Sequence, residues 1–326
     1  MISRRSLVLS SAALGLAPAA FAQSSFPRRP ITWVVPYPAG GFGDAVSRVL
    51  TQHISTALKQ PVIVENKPGA GGQIAAIYVK QQPADGHTLF YGDIGPFAMN
   101  AALYPKLNYN TLKDFTPLTR LLTSSLLLVV PANSPIKTLN DLMKASKAAK
   151  DDQGITYGSY GMGSQPHIWM EMLKRETKGN FTHVAYKGAA PAVQDLMGGH
   201  INVLLDVTAN SQPYVQEGKL RALAVVGSEK RLERLPQVPT MTELGYPSLN
   251  APGWTGVVVR SGTPEDIVKQ LHSLVVQAVE SDEIKRRFGD LGVTPAPQSG
   301  ADFARYIQSE TDKWGSAIRS AGVVLE

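Results

Sequence analysis

The 326-residue chain contains no cysteine. This excludes disulfide staples, thiolate metal sites and a lipid-anchoring cysteine of the bacterial lipoprotein type. Such a length does not need staples, because a chain beyond roughly 250 residues buries enough apolar surface to fold by packing and tends to divide into two domains. Beyond residue 22 no uncharged apolar run approaches the roughly 20 residues of a membrane helix, so the mature chain is expected to be soluble. Charge of either sign is also scarce: 32 Lys and Arg against 26 Asp and Glu leave +6, or +4 once Arg4 and Arg5 are removed with a leader. Short basic clusters at Lys230-Arg231 and Lys285-Arg286-Arg287 read as solvated faces, and no basic patch is interleaved with aromatics, which excludes the usual routes to nucleic-acid binding. The six histidines (His53, His87, His167, His183, His200, His272) show no helical pair spacing, so no metal site is expected. A Gly-x-x-x-x-Gly-Lys-Ser/Thr loop is missing, and Gly161-x-Gly163 lacks a fitting third glycine. Neither a nucleotide nor any other cofactor is expected.

What is present begins with a leader. Ser3-Arg4-Arg5 precedes the apolar stretch Leu7 to Ala17, and Ala20-Phe21-Ala22 satisfies the small-x-small rule for signal peptidase. The apolar run is too short to span a bilayer and is broken by Pro18, so residues 1–22 read as a cleaved signal peptide and the mature chain as periplasmic. The paired arginines fit a twin-arginine leader as well as an ordinary secretory one, and the export route stays open.

The mature chain alternates short β-branched runs with amphipathic stretches, the pattern of parallel βα units. Ile31 to Val35 predicts a strand, the residues from Asp44 to Leu58 a helix, Val62 to Val64 and Thr88 to Tyr91 two further strands. Leu121 to Val130 predicts one buried strand crossing between lobes, and a hinge is expected near it. A second set follows: strand Ile155 to Tyr157, helix Ile168 to Arg175, strand Thr182 to Tyr186, helix Ala189 to Met197, and strands Ile201 to Leu205 and Leu220 to Val226. After a proline-punctuated return, Trp254 to Val259 predicts a strand, with helices from Thr263 and from Ser299. The expected architecture is α/β and two-lobed, each lobe a mostly parallel sheet flanked by helices. Residues 23–123 and 250–326 would form lobe one, and residues 124–249 lobe two.

Three turns join a strand to a helix through glycine: Pro36 to Asp44, Gly158 to Ser164, and Lys187 to Pro191. Glycine admits a ligand close to the main chain, and the unpaired N–H groups at a helix start favour an anion. Should the first turn face the other two across a cleft, each end of a dicarboxylate would meet its own donors. Ser159 and Ser164 would add hydroxyl donors. An enzyme is the competing reading, since Tyr157-Gly158-Ser159-Tyr160-Gly161 falls one residue short of a Gly-x-Ser-x-Gly nucleophile elbow. Asp206 could supply an acid, but the only later histidine, His272, lies within a predicted helix, so a hydrolase triad is not expected.

Several segments carry a resemblance: Val35-Pro36-Tyr37-Pro38-Ala39-Gly40-Gly41 with Asp44 and Arg48, Val64 to Gly72, Pro83 to Leu89, Asn100 to Tyr104, Tyr157 to His167, Ala185 to Gly188, and Pro239 to Pro247 with Trp254. Together they resemble the tripartite tricarboxylate transporter substrate receptors, also called Bordetella uptake gene proteins. The resemblance implies a type II periplasmic binding protein of the Venus-flytrap kind, not an enzyme, which holds a small carboxylate between its lobes and delivers it to membrane transporter subunits; a monomer is expected. A sensor that presents the bound form to a signalling partner would look the same in sequence. By resemblance, Tyr37, Ala39, Gly40, Gly41, Phe42, Gly43 and Asp44 grip the ligand from lobe one. Ser159, Gly161, Gly163, Ser164 and His167 do so from lobe two, and Asp206 lines the cleft. The chain departs from the family pattern at Gly43, where Ser or Thr is expected, at Phe42, which brings an aromatic face, and at Asp93, which puts a carboxylate at the cleft mouth. Dicarboxylates and aromatic acids are both expected ligands, the latter stacking on Phe42 or Tyr37.

Overall fold

The computed structural model describes residues 26–150 and 154–325; the predicted signal peptide lies outside the described residues. β-Branched and aromatic residues form β1 (Ile31–Val35), which is buried on both faces. Trp33 and Val35 join one apolar cluster with Val46, Leu50 and Ile54 of α1 (Phe42–Leu58), while Val34 joins another with Phe90, Phe97 and Val258. Cover on both faces explains why these strands read as continuous apolar runs and not as alternations. β2 (Val62–Asn66), α2 (Gln73–Gln81) and β3 (Thr88–Asp93) complete a parallel unit with β1 between β2 and β3. A π-helical turn at Gly95–Met99 runs into α3 (Asn100–Leu103), and α4 (Thr111–Asp114) leads to β4 (Phe115–Ser124).

The apolar run expected as a single strand is two strands. β5 (Leu126–Pro131) starts one residue after β4 ends, in a different sheet, so Ser125 alone forms the crossing. Then come α5 (Leu139–Ala148), β6 (Ile155–Ser159), α6 (Gln165–Thr177), β7 (Phe181–Ala185), α7 (Ala189–Met197), β8 (Val203–Val207), α8 (Thr208–Gln216) and β9 (Leu220–Val226). A long link returns the chain to β10 (Gly253–Arg260), followed by α9 (Glu265–Glu280), α10 (Asp282–Asp290), β11 (Val293–Pro295) and α11 (Gly300–Ala321). The first sheet has the order β11-β4-β10-β3-β1-β2 and so takes strands from both ends of the chain; the second has the order β7-β6-β8-β5-β9.

The α/β, two-sheet fold is as expected and each sheet is mostly parallel: β1, β2, β3 and β4 run one way in the first, and β6, β7, β8 and β9 in the second. β10 runs antiparallel to β3 and β4, and β5 antiparallel to β8 and β9, because each strand that enters from the other sheet arrives from the opposite direction. The register then fixes where the turns meet. Gly253 pairs with Ser124 and Thr255 with Asp93, so the carboxyl end of β3 lies at the edge where β4 leaves the first sheet. Leu126 pairs with Val207 and with Val226, so the carboxyl end of β8 lies where β5 enters the second sheet. The carboxyl edges of both parallel sets therefore converge on Ser125, the kind of crevice where open α/β sheets bind ligands.

α11 packs on β4, α3 and the π-turn of the first sheet and also on α6 of the second. Its Glu310 is buried, and Oε2 accepts the indole N–H of both Trp254 and Trp314 at 3.0 Å. Among the described residues no helix is long and apolar enough to cross a membrane.

Candidate ligand site

The β1–α1 turn is held open by a side-chain staple. Asp44, in the first turn of α1 and 3% exposed, accepts the Gly40 N–H at 2.9 Å and Arg48 Nε at 2.8 Å on one oxygen. Its other oxygen accepts Asn66 Nδ2 at 3.0 Å, and the same amide reaches the Tyr37 carbonyl. The Arg48 guanidinium, with the Gly40 and Asn66 donors, overcomes the opposing effect of burial and holds the Asp44 carboxyl at about 2. Asp44 therefore shapes the turn, with each oxygen already in use. Gly40 has φ +82°, a conformation suited to glycine, and Ala39, Gly40 and Gly41 are exposed. No side chain caps the start of α1, so its first N–H groups face outward beside the exposed glycines.

Gly43, where a hydroxyl was expected, sits under two rings: a Cβ there would lie 3.0 Å from Tyr91 Cε1 and 3.2 Å from Tyr37 Cδ2. The missing side chain makes room for Tyr37, whose hydroxyl donates to Asp93 Oδ2 at 2.6 Å. Gly95 N–H donates to Asp93 Oδ1 at 2.9 Å. Burial raises the Asp93 carboxyl despite these donors, and raises Tyr37 well above its ordinary value, so Tyr37 keeps its proton. Phe42 packs partly against the apolar cluster under α1, which leaves Tyr37 as the aromatic of this turn that reaches the Asp93 carboxylate.

On the second sheet the Gly158–Ser164 turn is organised from within. Ser159 is fully buried; its Oγ lies 3.0 Å from the Gly161 carbonyl and 2.7 Å from His183 Nε2. Ser164 Oγ also donates to the Gly161 carbonyl, at 2.7 Å. Both hydroxyls expected to point at a ligand are turned onto the loop's own main chain. Gly161 (φ +128°) and Gly163 (φ +74°) provide the left-handed conformations of the turn, and Gly163 N–H donates to His167 Nδ1 at 3.0 Å. His167 is 3% exposed and lies flat on His183, which lies flat on Tyr157. Burial lowers both imidazoles to about 4, so they are neutral at pH 7, as an accepting Nδ1 requires. Neither α6 nor α7, which follows Gly188 (φ +107°), has a side-chain cap. Away from this crevice α5, α10 and α11 are capped by Thr138, Ser281 and Ser299.

Asp206 ends β8 fully buried, with its carboxylate occupied by the Tyr160 hydroxyl, the Ser211 hydroxyl and Asn210 Nδ2. Burial raises this carboxyl and the donors act against the shift. Tyr160 is thereby fixed over the crossing, and its oxygen also accepts the Val207 N–H at 3.0 Å. The sequence reading missed Asn66, Tyr91, Tyr160, His183, Asn210 and Ser211. Asn210 and Ser211 escaped because α8 carries Pro213 and no apolar stripe, so no helix was expected there.

A groove of about 710 Å³ lies elsewhere, lined by Glu233, Arg234, Glu283, Arg286, Arg287 and Gly289. It is an open, charged depression without the apolar walls of a small-molecule pocket, so the converging turns and not volume locate the site. The Ser159–His183 contact has the atoms of a nucleophile and a base. Ser159 is, however, closed off from any substrate, and among the described residues no carboxylate is hydrogen-bonded to His183.

Two mixed α/β sheets joined through Ser125, with uncapped glycine-rich helix starts facing the crossing, are the architecture of a solute-binding protein. The chain belongs to the tripartite tricarboxylate transporter family of receptors, whose family model matches residues 46–323. It is 32% identical over 303 residues to BugT of Bordetella pertussis, covering 93% of this chain and 92% of that one. Among solved structures, an R. palustris protein with adipate is similar at 32% identity and a TM-score of 0.83, covering 92% of this chain and all of that one. MatC of Rhodopseudomonas palustris with bound malate is similar at 34% identity and a TM-score of 0.79, covering 90% of this chain and all of the other. Members of this family are periplasmic receptors and generally not enzymes.

Proposed function

We propose that this chain, exported by its N-terminal leader, works in the periplasm as a monomeric receptor. It closes two lobes, residues 23–123 with 250–326 and residues 124–249, over a small organic carboxylate. It then hands the ligand unchanged to the membrane subunits of a tripartite tricarboxylate-type transporter. The observation that carries this reading is the convergence of three uncapped helix starts, those of α1, α6 and α7, on the edge where the chain crosses between sheets. Main-chain N–H groups at such starts bind carboxylates without a cationic side chain and need no metal. The adipate and malate in the two R. palustris structures make aliphatic diacids the first compounds to test.

A ligand that binds only the closed fold stabilises it by mass action, by about 2.7 kcal/mol at a hundredfold excess over its Kd. Thermal melting of the mature protein against mono-, di- and aromatic carboxylic acids should give at least one saturable rise in Tm, with the compound recovered intact. A flat screen would refute the carboxylate receptor, and a converted compound would restore the enzyme. Capture of transporter subunits from membranes by the ligand-loaded protein tests delivery; capture of a signalling protein instead would make it a sensor.

A further inference from the structure

The first-sheet half of the crevice contains a carboxylate that the protein leaves without a cation. Asp93 ends β3 opposite Thr255 of β10, at the edge that faces the crossing, and is tied to the β1–α1 turn through the Tyr37 hydroxyl. Each oxygen holds one donor, Tyr37 on Oδ2 and Gly95 N–H on Oδ1. Neighbouring basic groups are engaged elsewhere: Arg48 of α1 pairs with Asp44 at 2.8 Å and Lys67, just after β2, with Glu65 at 2.7 Å. Among the described residues no Lys, Arg or His forms an ion pair with Asp93.

A half-buried carboxylate beside an anion site is unfavourable unless something compensates it. A proton is one compensation: carried on Oδ2 it would reverse the Tyr37 contact, the carboxyl donating to the phenol oxygen while Oδ1 goes on accepting from Gly95 N–H. A positive group on the ligand is the other, and it leaves both existing bonds intact, because each carboxylate oxygen accepts more than one donor. Building on the receptor reading above, we infer that Asp93 is the specificity-determining residue of this site and that the carboxylate ligand also carries an ammonium group, which docks on Asp93. The uncapped helix starts hold the carboxylate end, Asp93 holds the ammonium, and Tyr37 orients Asp93. Gly43 lies beside the same pair, since a Cβ there would crowd the rings of Tyr91 at 3.0 Å and Tyr37 at 3.2 Å.

The test is calorimetric titration at pH 7.5 with sets that differ only in one substituent: aspartate, malate and succinate; glutamate, 2-hydroxyglutarate and glutarate; phenylalanine, phenyllactate and phenylpropionate; and 4-aminobutyrate with butyrate. In at least one set the ammonium member should bind about tenfold or more tighter than its analogues, as a charge-assisted contact predicts. Asp93→Asn, checked for folding by its melting curve, should bring that set within about threefold. If the unsubstituted acids bind as tightly as the ammonium acids in every set, the inference is overturned while the carboxylate receptor stands. If no acid binds, the receptor reading fails and this inference with it. Should Asp93→Asn fail to fold, the ranking on the wild-type protein still decides.

Discussion

His167 and His183 lie ring on ring, with centroids 4.0 Å apart and planes within 8°. One accepts the Gly163 N–H and the other contacts Ser159, so the pair sets the shape of the second glycine turn from beneath, flanked by Tyr157 and its partner Glu171. Both imidazoles fall from 6.5 to about 4 on folding. Above pH 6.5 they are neutral folded and unfolded and add no pH dependence. As pH falls through 6.5 the unfolded chain takes up protons that the folded chain refuses, so stability declines until about pH 4. Asp44, lowered from 3.8 to about 2, acts in a separate window: its contribution is present above 3.8 and is lost as pH falls toward 2. Melting curves from pH 8 to 4 should show Tm falling below pH 6.5, and His167→Gln with His183→Gln should flatten that part of the profile. An unchanged slope in the double variant would remove the pair from this role.

The first glycine turn separates binding from folding. A Cβ at Gly41 meets only the Pro38 carbonyl, at an ordinary 3.5 Å, and its φ of −82° suits any residue. Gly41→Val should therefore melt within a few degrees of the wild type yet bind the best ligand at least about tenfold more weakly, because the branched side chain covers the helix-start donors. Normal titration of Gly41→Val would show that the ligand does not approach this main chain.

Tyr160 links β6 to the crossing through Asp206 and Val207. Tyr160→Phe removes the hydroxyl and leaves the Val207 N–H and one Asp206 oxygen short of a partner, a loss of about 1–3 kcal/mol. Asp206→Ala should cost more, since Tyr160, Ser211 and Asn210 then lose their common acceptor. Urea unfolding orders the two variants, and a larger effect for Tyr160→Phe would show that Asp206 is not the hub.

Glu310 serves two indoles at once. Glu310→Gln keeps an acceptor and should cost little, whereas Glu310→Leu leaves two buried N–H groups unpaired, at about 1–3 kcal/mol each. Comparable Tm values for Gln and Leu would show that packing around Trp254 and Trp314, not hydrogen bonding, holds α11.

The parts of this fold legible in the sequence are those written locally. β9 and α7 fall where the β-branched run and the apolar spacing put them, and the three glycine turns are visible because each needs a backbone conformation that few other residues adopt. The break at Ser125 is not legible, since Leu121 to Val130 is apolar on both sides of it and strands buried in either sheet look alike. Nor are Tyr160–Asp206 or the His167–His183 stack, which join residues from different strands and helices; a lone His in a β-run carries no sign of the ring it will meet. Ser159, Ser164 and Asp206 were visible as polar residues in the right places, but which way a hydroxyl or carboxylate turns depends on those distant partners.

Two connections join the sheets, and they differ more in sequence than in space. One is Ser125, whose carbonyl is clamped by both the N–H and the hydroxyl of Thr208. The other runs from Gly227 to Pro252, yet Asn250 Oδ1 accepts the N–H of Gly227 and Ser228 and so ties the segment off at its neck. Past that neck the link folds back on the second sheet, where the Pro239 carbonyl accepts the Val225 N–H and Met241 N–H donates to the Val225 carbonyl. The long link is thereby held at its neck and along β9, so its length adds little play between the sheets. A single residue inserted beside Ser125 would instead shift the register of β4 or β5 and turn its buried side chains to the opposite face.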